Sequence, residues 1–210
     1  MSADQIAERL RSALRRGEFL PGTRLVQEKI AADLAVSRIP LREALHMLAA
    51  EGLLVNQPHR GMVVAELSPD EVDELFDLRL QLEPALAEEI VRGCRPRDVD
   101  ALHRLAEQIH DKGGDAAARA ALNYQFHSRV YRLSERPLTI RFIDQLLQLV
   151  EPYSRQWVRS GHDLQRIDRE HRQMVEALRG GDATALARVI VDHIVGARDH
   201  VLAALVRVTG

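Results

Sequence analysis

Ser37-Arg38-Ile39-Pro40-Leu41-Arg42-Glu43-Ala44-Leu45-His46-Met47-Leu48 reads as one short helix with two faces that need different surroundings. At about 100° per residue, Leu41, Ala44, Leu45 and Leu48 gather on one side and belong against a core. Arg38, Arg42 and His46 fall on another side at i, i+4 and i+8. Ser37 is a residue type that caps a helix N-terminus. Upstream, Ile6, Leu10, Ala13 and Leu14 give residues 4–16 an apolar face, and 26–34 forms a second helix after Leu20-Pro21-Gly22. Only Ala35-Val36 remains as the turn before Ser37. Downstream, Leu53-Leu54-Val55 and Met62-Val63-Val64 are short apolar runs around the turn-rich Asn56-Gln57-Pro58-His59-Arg60-Gly61, the pattern of a hairpin.

Three helices, with a tight turn between the last two, followed by a hairpin form a winged helix-turn-helix order, assigned to residues 1–66. In such a unit the first turns of the third helix reach base edges, and Arg38 and Arg42 stand there. Arginine can pair bidentately with guanine O6 and N7 in the major groove. Ser37 and the free N–H groups of the helix start suit phosphate. His59, Arg60 and Gly61 at the hairpin tip suit a minor groove, where glycine permits close backbone approach. Spacing alone also allows a plain solvated basic face. Residues 1–65 hold nine Lys or Arg against seven Asp or Glu, so the chain's small positive balance lies in this region although the whole protein has a net charge of -2.

The composition narrows the remaining classes. With 46% hydrophobic and 29% charged residues the chain is foldable rather than disordered, and with 4% aromatics its core must be aliphatic. Cys94 is the single cysteine, which excludes an internal disulfide scaffold and a cysteine zinc cage. No run approaches the roughly 18 apolar residues of a membrane span. The charged, amphipathic start does not read as a signal peptide, so a cytoplasmic protein with no membrane partner is expected.

Ser68-Pro69-Asp70-Glu71 marks the second region: an N-cap, a proline at the first helical position and the glutamate of a capping box. Six helices are predicted beyond it, at 69–93, 97–110, 115–133, 137–159, 163–179 and 183–206. The breaks between them carry Gly, Pro or Ser, and Asp182 suits the N-cap of the last helix. Short connections between long helices imply antiparallel neighbours, so residues 67–210 are expected to form an antiparallel six-helix bundle and the protein to be mainly α.

Polar side chains interrupt the apolar stripes of four of these helices. Arg79 and Glu83 interrupt the first, Asn123 and His127 the third, His171 the fifth and His193 the sixth. On buried faces they must be satisfied by one another, by water or by a ligand. The Gly180-Gly181 turn makes the last two helices a pair. At 1.5 Å per residue, His171 lies about 15 Å and His193 about 18 Å from that turn, so they can face each other. His200, about 29 Å away, pairs in level with His162 instead. Three imidazoles and an amide oxygen would suit a divalent ion such as Zn, Ni or Mn, while histidines hydrogen-bonded within the core would satisfy the same pattern. Arg79 can pair with a carboxylate ligand or form a salt bridge with Glu83.

Leu20-Pro21-Gly22-Thr23-Arg24-Leu25, the run from Ala31 to Leu45 and Glu51-Gly52-Leu53-Leu54 together resemble the GntR family of bacterial transcription regulators. The resemblance implies a dimer on operator DNA. It maps the DNA contacts onto Ser37, Arg38, Pro40 and Arg42, with the wing contact at His59, Arg60 and Gly61. The second region resembles the ligand-binding (FCD) domain of the family's FadR-type branch through Arg79-x-x-Leu82-Glu83, Asn123-x-x-Phe126-His127, Glu170-His171, Gly181-Asp182 and Asp192-His193. This implies a metal held by Asn123, His127, His171 and His193, and a small carboxylate effector near Arg79 and Glu83. Ala35 stands where the family usually has glycine, Glu28 where some members carry a DNA-contacting arginine, and Asn123 where strong metal binders carry aspartate. The expected function is a ligand-responsive repressor. A metal-dependent bundle enzyme with an appended DNA-binding domain is the alternative, and a purely structural dimerisation bundle is a third reading.

Overall fold

Ser2 begins the first helix with a reciprocal capping box. Its hydroxyl accepts from the Gln5 N–H, and the Gln5 side chain accepts from the Ser2 N–H. The computed structural model describes residues 1–159 and 164–209. Within it the chain divides into two compact units, Met1–Leu67 and Ser68–Gly210.

The first unit runs α1 (Ala3–Arg16), α2 (Gln27–Asp33), α3 (Arg38–Ala50), β1 (Leu54–Gln57) and β2 (Gly61–Val64). Leu41, Ala44, Leu45 and Leu48 are buried, and α3 packs them against α1, α2 and β1. The hairpin register pairs Leu54 with Val64 and Gln57 with Gly61. Arg24 bridges to Val63 on the other side of β2, tying the chain before α2 to the wing. Ala35 takes φ +51° in the turn between α2 and α3, the left-handed position that glycine normally fills.

The second unit contains α4 (Pro69–Leu82), a 3₁₀ turn (Pro84–Leu86), α5 (Ala87–Gly93), α6 (Pro96–Asp111), α7 (Ala116–Arg132), α8 (Pro137–Arg159), α9 (Leu164–Gly180) and α10 (Ala183–Thr209). The expected first helix, 69–93, is therefore two helices. Pro84 has no N–H to donate and its ring crowds the preceding turn, so α4 stops at Leu82 and the chain resumes as α5. Ser68 closes α4 with its capping box, and Asp182 caps α10 by accepting from the Ala185 N–H at 2.9 Å. α10 is the central helix, packed on α4, α5, α8 and α9. Gly93, at the end of α5, sits so close to α7 that an added Cβ would lie 1.9 Å from the Leu133 carbonyl oxygen. No helix among the described residues is long and apolar enough to cross a membrane.

Candidate nucleic-acid interface and metal centre

In the first unit the α3 side chains expected to read DNA are open to solvent. Arg38 and Arg42 are exposed in the first turns of α3, with His46 exposed one turn further. Ser37 occupies the N-cap position, but its hydroxyl makes no capping bond, so both it and the first N–H groups of α3 are available to a phosphate. Pro40 is half-buried in the first turn, where a proline costs no helical hydrogen bond. At the wing tip His59 and Gly61 have φ of +62° and +73°, and Arg60 donates to the Gln57 side chain. The Arg38 guanidinium donates to Glu28 on α2 at 3.1 Å, an exposed pair that spacing did not reveal.

In the second unit the polar residues of α7, α9 and α10 meet. His127, His171 and His193 are all buried, and each offers a ring nitrogen within 4.8 Å of the others. The Nε2 atoms of His127 and His171 are 3.3 Å apart. Two nitrogens each about 2.0–2.1 Å from one tetrahedral ion would be separated by about that distance. The Nδ1 atoms of both rings have no hydrogen-bond partner among the described residues. Burial first, then the neighbouring His193, hold both imidazoles well below their usual pKa, with His171 and Arg79 adding to the effect on His127 and Arg119 to that on His171, so they are neutral with lone pairs available. His193 is turned by Glu170, whose carboxylate accepts from Nδ1 at 2.8 Å, leaving Nε2 for the centre. Glu170 is held in turn by Arg166 at 2.7 Å. This donor set fits a borderline divalent cation.

Asn123 is half-buried, one turn above His127, and lines the same cavity as His127 and His193. Including its mouth, the cavity encloses about 620 Å³. Arg79 lines it too. Glu83 is not on that wall but pairs with Arg79 beside it. It is fully buried, accepts from Arg79 Nε at 2.6 Å and Nη2 at 3.3 Å, and receives the Tyr131 hydroxyl. Burial and the Glu83 charge push the Tyr131 phenol well above its usual pKa, so it remains a donor. Glu83 therefore aims Arg79 from behind. His200 is spent locally on the Gly196 carbonyl, and His162 lies outside the described residues.

Three functional candidates escaped the sequence reading. Glu151 of α8 is a buried carboxylate on the cavity wall that adds to the field holding Arg79 charged. Arg119 of α7 is a buried cation on the same wall, paired with Asp168 of α9 at 2.8 Å. For Arg119 a signal existed: it precedes Asn123 and His127 at the same four-residue spacing. Nothing in local pattern points to Glu151 or Asp168.

The model of the FCD domain matches residues 74–196, more than half of the chain, and that of bacterial regulatory proteins of the gntR family matches residues 2–64. This chain belongs to the gntR family, in its FCD-domain branch. This gntR-family regulator is 25% identical over 193 residues to the transcriptional regulator YdhC of Bacillus subtilis, covering 90% of this chain and 86% of the relative. It is 28% identical over 185 residues to the gluconate operon transcriptional repressor of Bacillus licheniformis, covering 85% and 76% respectively. Its fold matches the solved structure of Escherichia coli McbR/YncC with a TM-score of 0.88 at 23% identity, over 99% of this chain and 98% of that one. These relatives are regulators, and the bundle-enzyme alternative finds no support among them.

Proposed function

We propose that this gntR-family regulator is an operator-binding repressor whose helical unit holds a divalent cation and answers to a small organic acid. The observation that carries the reading is the buried triad His127, His171 and His193 beside Arg79 on one cavity. Neutral imidazoles, one of them oriented by a carboxylate, are a donor set for Zn, Ni or Mn, with Asn123 as the neutral oxygen of the set. When bound, the cation supplies an electrophilic site for a carboxylate oxygen. Arg79, fixed by Glu83, supplies N–H donors for the same group. The relative named as a repressor of a gluconate operon supports the repressing sign.

On the DNA side, two copies of the chain would place two α3 helices on a pseudo-palindromic operator, Arg38 and Arg42 reading bases and the His59–Gly61 tip following the minor groove. The acid acts by binding the operator-competent and operator-incompetent states with different affinity. A coupling of about 1–3 kcal/mol changes operator affinity by one to two decades. The test is metal analysis of purified protein followed by operator footprinting against a panel of organic acids, with and without chelator. Stoichiometric metal, and an acid that lifts protection only in its presence, are the expected result. Metal-free protein that protects its operator regardless of any acid would overturn the sensing half.

A further inference from the structure

Arg119 is 3% exposed, lines the cavity, and has no part in the reading above. It stands one turn before Asn123 and two before His127, so the three run down one face of α7. Its far side is fixed. Nη1 donates at 2.6 Å to the Ile109 carbonyl, one of those that the last turn of α6 leaves without a helical donor. Nη2 donates at 2.8 Å to Asp168 Oδ1. The other oxygen of Asp168 meets His110 Nδ1 at 2.8 Å, so the carboxylate is held from two sides.

A guanidinium has five N–H donors. Arg119 commits two of them to Ile109 and Asp168. Arg79 is built in the same way, with two donors on Glu83. Both side chains lie on the cavity wall with donors to spare. Arg79 comes from α4 and Arg119 from α7, and both reach the cavity that His127 and His193 also line. Capping α6 and pairing with Asp168 use two of the Arg119 donors and leave the others on the cavity side.

We propose that Arg119 is a second anion anchor, so that the acid taken by this cavity carries two acidic groups, one directed to the histidine cluster and Arg79 and the other to Arg119. This rests on the carboxylate reading above and narrows it to short dicarboxylates. Arg119 and His127 lie eight residues apart on one helix, about 12 Å along its axis at 1.5 Å per residue, which limits the length of the acid.

The test melts the full-length, zinc-loaded protein with matched acids: acetate against malonate, and propionate against succinate. In thermal-shift titrations at least one diacid is expected to reach its midpoint at a tenfold lower concentration than its monoacid. In Arg119→Gln that preference collapses while the monoacid midpoint is kept, and Arg119→Lys, which keeps the charge without the planar fork, retains part of it. Equal midpoints for both acids of both pairs in the wild type would overturn the proposal and leave the carboxylate site standing. A diacid preference that persists in Arg119→Gln would do the same. If none of the four acids moves the melting temperature, the carboxylate reading falls with it. Should Arg119→Gln fail to fold, the wild-type comparison still decides.

Discussion

The Nε2 atoms of His127 and His171 face each other across 3.3 Å in the buried centre of the helical unit. Two neutral imidazoles can share only one proton along that line, so one ring keeps an N–H with no partner, and both Nδ1 atoms lack one among the described residues. A cation that accepts both lone pairs resolves the confrontation of like atoms. Without one, the fold has to keep both rings unprotonated.

That requirement makes the metal-free protein acid-sensitive. Both folded-state pKa values lie below the usual 6.5, through burial first and neighbouring charge second. Above pH 6.5 neither the folded nor the unfolded chain protonates these rings, and stability is at its full value. As pH falls below 6.5 the unfolded chain takes protons that the folded one refuses, so stability drops, by up to about 1.4 kcal/mol per pH unit for each ring. Urea unfolding of metal-free protein at pH 7.5, 6.5 and 5.5 measures this. A flat profile would mean that the two rings are not held neutral.

Glu170 orients His193 from outside the triad. Glu170→Gln keeps the shape and removes the charge. Substitutions of such supporting carboxylates weaken metal binding by about 10–100-fold. Competition with a chromophoric chelator should show that loss with helical circular dichroism unchanged. An unaltered metal affinity would reduce Glu170 to a partner of Arg166.

Arg42→Ala should abolish specific operator protection while circular dichroism stays helical, because Arg42 is exposed and carries none of the core of α3. A lost bidentate base contact costs about 1–3 kcal/mol. Glu28→Gln tests the pair with Arg38. It removes a negative charge beside Arg38, on the face proposed to meet DNA, and frees a guanidinium, so non-specific binding should strengthen and the salt dependence of binding should steepen. Identical salt slopes for the two proteins would place Glu28 away from the phosphates.

Ala35→Gly should stabilise the first unit. Its φ of +51° costs an L-residue about 1–2 kcal/mol, more than the entropic cost of about 0.5–1 kcal/mol that glycine brings. The net gain, of up to about 1.5 kcal/mol, is readable as a higher midpoint in denaturant. A lower midpoint would show that the turn relaxes for alanine in some other way.

Much of the first unit was legible because its signals are local. The apolar spacing of Leu41, Ala44, Leu45 and Leu48, the two-residue turn and the hairpin residues act within a few positions of one another, and residues on opposite faces of one helix separate by angle alone. In the helical unit the same angular logic found His127, His171 and His193, since a polar side chain inside an apolar stripe is conspicuous. It misread the first bundle helix, where a favourable period continued across Pro84 although the backbone could not.

The amino-acid order thus settled which helices exist, which faces they bury, and which side chains bear unusual chemistry. Tertiary packing alone settled how those side chains are employed. Glu83 became a strut because Tyr131 and Arg79 close on it, Glu151 and Asp168 reached the site from α8 and α9, and Arg119 came to line a cavity. Hydrogen bonds and charge act across a few ångströms of space whatever the separation along the chain, so partners 48 or 49 residues apart, such as Tyr131 with Glu83 and Arg119 with Asp168, leave no periodic trace.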